Sequence, residues 1–217
     1  MNKMDLTQRL ENCYSGAVLC DMGIGFEGRS LTTSSQIFGS RGDCFRTCIH
    51  GPGSSRHFPH GRRKPFTLDR TLGQGYGTGH VVVCQPQDDD RALMGELSAE
   101  TLQFRGVRGY VVDGGCRDVS FIRHMKFPVF CRFTTPRDIV AAWTPEEYEV
   151  PITIGDITIQ SGDFILGDQD GVVVLPRIHA ESIVNRVEEV MQTENLVPKA
   201  ILDGVHPQEA YLRHRKF

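Results

Sequence analysis

From Gly79 onward, short runs of β-branched residues alternate with segments of helical period, and turn residues separate them. His80 to Cys84 reads as an apolar strand. Val107 to Asp113, mostly Val and Tyr, reads as a second strand that suits a buried position. Between them, Asp89 to Gln103 reads as one helix. Acidic residues at its start suit the helix dipole, and Leu93, Leu97 and Phe104 fall near one face. Gly114-Gly115 is expected to break the second strand. A short helix over Val119 to Lys126 and a strand over Val129 to Arg132 follow.

The next stretch has the pattern of a β-meander. Ile152 to Ile154 and Ile157 to Ile159 flank Gly155-Asp156, a hairpin signal. Asp163 to Leu166 and Val172 to Leu175 flank a second turn at Gly167 to Gly171, and Pro176 ends the sheet. Ala180, Ile183, Val184, Val187 and Met191 then mark one face of a closing helix. Alternating strands and helices followed by a β-rich half predict an α/β protein, a layered sandwich around a mixed central sheet.

Residues 20–78 break this pattern. They hold six Ile, Leu or Val against 11 glycines and seven arginines. With Phe included, the large apolar residues stay below the roughly 20% that usually supports a packed core. The block reads as an atypical segment within a single 217-residue domain, either a flexible insertion or a stretch read out of frame. Cys44, Cys48, His57 and His60 within it only loosely approach zinc-ligand spacing. A net charge of −3 gives no electrostatic case for nucleic acid, and no apolar run approaches the roughly 18 residues of a membrane span. The polar start of the chain and seven scattered cysteines fit a reduced, cytoplasmic protein.

Candidate chemistry gathers where the second strand gives way to a helix. Ligands bind there in open α/β sheets, because the first amides of the helix are unpaired. Arg117-Asp118 at that point offers a fixed cation for an anionic substrate and a hard oxygen ligand for Mg²⁺ or Mn²⁺. The plainer reading is that Asp118 caps its own helix. Gly95-Glu96-Leu97-Ser98 adds a second group. Glycine inside a helix costs about 1 kcal/mol against Ala, so Gly95 signals close backbone approach or a break that exposes amides. Leu97 and Ser98 would then present N–H groups to a carboxylate, while Glu96 holds a metal-bound water.

The stretches DRALMGELSAETLQFRGVRGYVVDGGCRD, KFPVFCRFTTPRD and PITIGDITIQSGDFILGDQDGVVVLP resemble, in order, the family of 4-hydroxy-4-methyl-2-oxoglutarate aldolases and RraA-type regulators of ribonuclease activity. The aldolase branch is marked by an acidic residue, 20 further residues and Arg-Asp, which Glu96, Leu97 to Cys116 and Arg117-Asp118 match. The resemblance implies an RraA-like, swivelling-domain-like fold and a divalent-metal pyruvate aldolase using Mg²⁺ or Mn²⁺, with oxaloacetate decarboxylase activity alongside. In that scheme Asp118 ligates the metal, and Arg117 polarises the keto and hydroxyl oxygens of a 2-oxo acid substrate. Gly95, Leu97 and Ser98 bind its carboxylate, and Glu96 orients the water that shuttles the proton. It also implies a homo-oligomer, trimer or hexamer, with Glu188 or Glu194 reaching a neighbouring site. The competing branch is a regulator that binds an endoribonuclease and does no chemistry. It usually lacks the aspartate after the arginine, so Asp118 argues for the enzyme.

Overall fold

The computed structural model describes residues 3–22, 30–31, 36–38, 43–50, 53–54, 79–140, 142–145, 147–194 and 196–214, with the strands between 30 and 54 entering through their backbone pairing. Two short helices, α1 (Lys3–Glu11) and α2 (Ser15–Met22), precede four strands: β1 (Ser30–Leu31), β2 (Gln36–Phe38), β3 (Asp43–His50) and β4 (Gly53–Ser54). The middle of the chain runs β5 (His80–Cys84), β6 (Ala92–Met94), α3 (Glu96–Phe104), β7 (Gly109–Cys116), α4 (Val119–Met125), β8 (Val129–Thr134) and β9 (Thr144–Pro145). The last third holds β10 (Ile152–Ile154), β11 (Ile157–Ile159), β12 (Phe164–Gly167) and β13 (Val172–Leu175), then α5 (Ala180–Glu194), α6 (Leu196–Leu202) and α7 (Pro207–His214).

These strands form a mixed nine-stranded sheet ordered β1-β13-β12-β3-β5-β7-β8-β2, with β6 added alongside β7. The pairs β3–β5, β5–β7 and β7–β8 are parallel, and the flanking pairs are antiparallel. Alternation along the strands sorts the core. Val82, Cys84, Tyr110, Val112, Val129 and Cys131 pack with Ala99 and Leu102 of α3 and Ile122 of α4. Farther along the sheet, Phe164, Leu166, Val173 and Leu175 meet Leu10, Ala17 and Val18 together with Ile183, Val184 and Val187 of α5. The alternate positions Val81, Val83, Val111, Phe130, Ile165, Val172 and Val174 pack against the four isoleucines of the β10–β11 hairpin. The expected layered α/β sandwich around a mixed sheet is therefore present.

Several expected boundaries move. Asp89 to Gln103 is not one helix, because Ala92–Met94 pairs in parallel with β7 and the helix begins only at Glu96. The face of that helix turned to the core is Ser98, Ala99 and Leu102, while Leu97 and Phe104 are exposed at 74% and 92%. Gly114-Gly115 does not break the strand, since β7 runs through to Cys116. A Cβ on Gly115 would lie 2.6 Å from the Arg91 carbonyl oxygen, so glycine there admits the chain leading into β6 against the strand. The expected meander divides as well. β10–β11 forms its own two-stranded sheet, and β12–β13 joins the large one.

The block 20–78 contributes β3, which sits between β12 and β5 in the middle of the sheet. His57 and His60 lie outside the described residues, as do the side chains of Cys44 and Cys48.

Leu166, fully buried in the α5-facing core, tests this packing. Leu166→Ala is expected to cost about 2–5 kcal/mol in denaturant unfolding, whereas Leu202→Ala, at a position 87% exposed, should stay within about 0.5 kcal/mol of wild type.

Candidate active site

Because β5, β7 and β8 run parallel, their carboxyl ends open on one edge of the sheet. Three connections leave from that edge: 85–91 into β6, Arg117-Asp118 into α4, and 135–143 beyond β8. The site is built from these connections and from the start of α3.

Gly95 is the residue before α3, extended at φ −145° and ψ −176°, and its carbonyl accepts the Ala99 N–H at 3.0 Å. It thus stands at a helix start and not in a helix interior, and its lack of a side chain has a different cause from helix breaking. A Cβ there would sit 2.7 Å from Asp118 Oδ2 and 3.1 Å from Arg117 Nε. Asp118 adopts the left-handed region, φ 56° and ψ 34°, at the head of α4. Aspartate tolerates that conformation better than most side chains. Its carboxylate does not cap its own helix. Oδ2 instead accepts the N–H of Glu96, the first residue of α3, at 3.1 Å. The Arg117 N–H donates to the Met94 carbonyl at 2.8 Å. Two hydrogen bonds therefore stitch the β6–α3 junction to the β7–α4 junction, which brings Gly95, Glu96, Arg117 and Asp118 together.

The Arg117 guanidinium lies between two carboxylates, with Nε 3.4 Å from Asp118 Oδ2 and Nη1 3.2 Å from Asp138 Oδ2. Arg117 and Asp118 keep about a third of their side-chain surface exposed, 36% and 37%. Leu97 projects into solvent and Ser98 is buried. Neither backbone N–H donates a hydrogen bond among the described residues, as befits the first turn of a helix. The arrangement offers a carboxylate oxygen, a guanidinium and unpaired amides within one short arc.

No three His, Cys, Asp or Glu side chains converge among the described residues. Asp118 would therefore hold a hard cation together with water and substrate oxygens, a coordination Mg²⁺ accepts because it keeps several waters and takes one or two carboxylates. Cys116, next to Arg117, is fully buried. A hydrogen bond with Cys131, together with burial, pushes its thiol well above the usual range, which disfavours a nucleophilic role.

Two features escaped sequence reasoning. Arg137-Asp138 repeats the Arg117-Asp118 dipeptide shortly after the next strand, and Asp138 reaches Arg117. That repetition was the available signal. The acidic run 88–90 holds its connection in place: Asp88 pairs within it to Arg91 at 2.8 Å, Asp89 reaches Arg132 of β8 at 2.7 Å, and Asp90 reaches Arg137 of the connection beyond β8. Trp143 Nε1 donates to the Pro86 carbonyl at 2.9 Å and holds the same connection from the far side.

Burial alone would raise the Asp88 carboxyl, but the N–H groups of Asp90 and Arg91 and the Arg91 guanidinium outweigh it and hold the group below its ordinary value. A depressed folded value means that the stabilisation is fully present above the unfolded-chain value and is lost as pH falls through the folded one. The stability gap between wild type and Asp88→Asn should therefore narrow as pH drops from about 5 to about 2, read by thermal unfolding across that range. A gap independent of pH would contradict this account.

The chain belongs to the RraA-like family (Aldolase/RraA), which matches residues 65–174. Among curated proteins it is 34% identical, over 138 residues and 62% of its own length, to a protein of Halalkalibacterium halodurans named "Putative 4-hydroxy-4-methyl-2-oxoglutarate aldolase". That match covers 64% of the relative, so the chain spans less than two thirds of the relative's length. A crystal structure from Pseudomonas syringae pv. tomato shares the fold at a TM-score of 0.84 and 22% identity, covering 98% of this chain and 95% of that one. Streptomyces coelicolor RraAS2, described as an unusual member of the RNase ES inhibitor RraA family, shares it at 0.73 and 24% identity, covering 90% and 97%. No helix among the described residues is long and apolar enough to cross a membrane.

Proposed function

We propose that this chain is a divalent-metal-dependent aldolase that cleaves a 4-hydroxy-2-oxo acid, such as 4-hydroxy-4-methyl-2-oxoglutarate, to release pyruvate, and that it also decarboxylates oxaloacetate. The observation that carries this reading is the Asp118 carboxylate, turned away from its own helix and onto the Glu96 amide, with Arg117 beside it and Gly95 making room. The 34%-identical relative named for this aldolase supports the same reading.

Retro-aldol cleavage breaks the bond between the third and fourth carbons of the substrate. The hydroxyl proton leaves to a base, the bonding electrons form the enolate of pyruvate, and a proton returns at the third carbon. Oxaloacetate reaches the same enolate by losing CO₂. A divalent cation held by Asp118 would supply Lewis-acid polarisation of the 2-oxo group. Arg117 places a fixed positive charge where the enolate oxygen develops, and the Leu97 and Ser98 amides bind the carboxylate. Glu96, at the first position of the helix, supplies the carboxylate that relays the proton.

A homo-oligomer is part of this proposal. Leu97 and Phe104, two turns apart on α3, and Phe121 on α4 expose apolar surface on the helices that flank the site. Of the acidic residues expected to reach a neighbouring site, Glu188 is hydrogen-bonded by Arg9 of its own chain at 2.6 and 2.8 Å, which holds its carboxyl below the ordinary range. The Glu194 side chain lies outside the described residues.

Wild type should form pyruvate from oxaloacetate and from 4-hydroxy-4-methyl-2-oxoglutarate only when Mg²⁺ or Mn²⁺ is supplied. Asp118→Ala should lose at least about a hundred-fold of that rate. Equal rates in the two proteins would sink the proposed site. No metal-dependent pyruvate release from either acid would favour the non-catalytic regulator reading.

A further inference from the structure

We infer that Asp138 is a positioning residue for Arg117, an inference that rests on the aldolase reading for its catalytic meaning. The geometry comes from three places. Asp138 Oδ2 lies 3.2 Å from Arg117 Nη1, a different nitrogen from the Nε that faces Asp118. Its other oxygen, Oδ1, accepts the Val140 N–H at 3.0 Å, which fixes the direction of the carboxylate. The backbone at Asp138 is itself held, through a parallel bridge to Ala92 and the Ala92 N–H donating to the Arg137 carbonyl at 2.9 Å. Ala92 opens the strand that leads to Gly95 and Glu96. The residue that holds the guanidinium is thus anchored to the same short strand that delivers the rest of the site.

A long arginine side chain with a third of its surface exposed has many rotamers, and a catalytic guanidinium is useful only in one orientation. Asp118 alone touches it through Nε at 3.4 Å, a loose contact that leaves the outer end of the side chain unconstrained. Asp138 supplies a second contact, at Nη1, and contacts on two different nitrogens restrict how the guanidinium can turn. The Asp138 side chain is itself 45% exposed, so the pair contributes little to folding and its effect falls on orientation. Among the described residues it makes no hydrogen bond or ion pair with Asp118 or with the Leu97 and Ser98 amides, and it acts through Arg117.

The test is steady-state kinetics with Mg²⁺ on both oxo acids, joined to the Nε–H resonance of Arg117. Asp138→Ala should lower kcat about ten-fold or more while changing KM less than about three-fold, with Tm unchanged. In the Arg117→Lys background the same change should have no further effect, because the guanidinium it orients is gone. The Arg117 Nε–H signal should be ordered in wild type and mobile in Asp138→Ala. If Asp138→Ala unfolds, Asp138→Asn gives the same readings, since its amide oxygen still accepts the Val140 N–H. Wild-type kcat in a folded Asp138 variant overturns the inference, and so does an additive loss in the double variant. If wild type turns over neither acid, the aldolase reading fails and the resonance alone decides. An unchanged Arg117 signal then overturns the positioning, and a mobile one upholds it.

Discussion

Val81 to Cys84 on β5 and Tyr110 to Val112 on β7 are buried on both faces of the sheet, and every larger feature follows from the need to cover them. Parallel strands require long crossovers, and here those crossovers are α3 and α4 on one face. The opposite face is closed by the β10–β11 hairpin, whose isoleucines alternate inward. Parallel pairing also places the carboxyl ends of β5, β7 and β8 along one edge, so the connections that leave them cannot avoid one another. The residues with chemical potential sit on those connections. The sheet therefore chooses the place of the site, and the connections choose its chemistry.

Within that place, one close constraint is the contact between Gly95 and the Arg117-Asp118 pair. A methyl group at 95 would occupy the space of the Asp118 carboxylate. Its absence lets Asp118 reach across to Glu96, so that one side chain joins two helix starts. Of the ion pairs around it, Asp89 to Arg132 and Asp90 to Arg137 are partly or largely exposed and each is worth about 1 kcal/mol or less, whereas the Asp88 carboxylate is buried against Arg91. Asp89 and Asp90 tie the 85–91 connection to β8 and to the 135–143 connection, while Asp88 to Arg91 closes within its own connection. Function, in this reading, depends on where charges point more than on how much they stabilise.

The fold was legible where hydrophobic alternation was strong. Ile152 to Ile154, Ile157 to Ile159, Val172 to Leu175 and the α5 face from Ala180 to Val187 all appear as their patterns indicate. Legibility failed where a residue's neighbours lie far away in sequence. Ala92-Leu93-Met94 is too short to show a period of its own, and it becomes a strand because β7 offers it a pairing edge. Gly114-Gly115 looks like a break, yet the strand continues through it, with a shift of register against β8, and accepts close packing from Arg91 and Pro86. The apolar-poor block 20–78 carries no clear period, and its β3 is recruited by flanking strands from distant parts of the chain.

The amino-acid sequence by itself determined the family marks: Gly95-Glu96 and Arg117-Asp118 at their spacing, and the alternation that builds the sheet. These are local properties, set by side-chain chemistry and by periods of a few residues. The tertiary structure alone decided that Gly95 faces a carboxylate, that Asp118 caps a neighbouring helix in place of its own, and that Asp138 touches Arg117. Each of these is a contact across 20 or more positions of chain. Such contacts exist only once parallel strands have brought their ends to one edge, and no local pattern encodes the angle at which those ends meet.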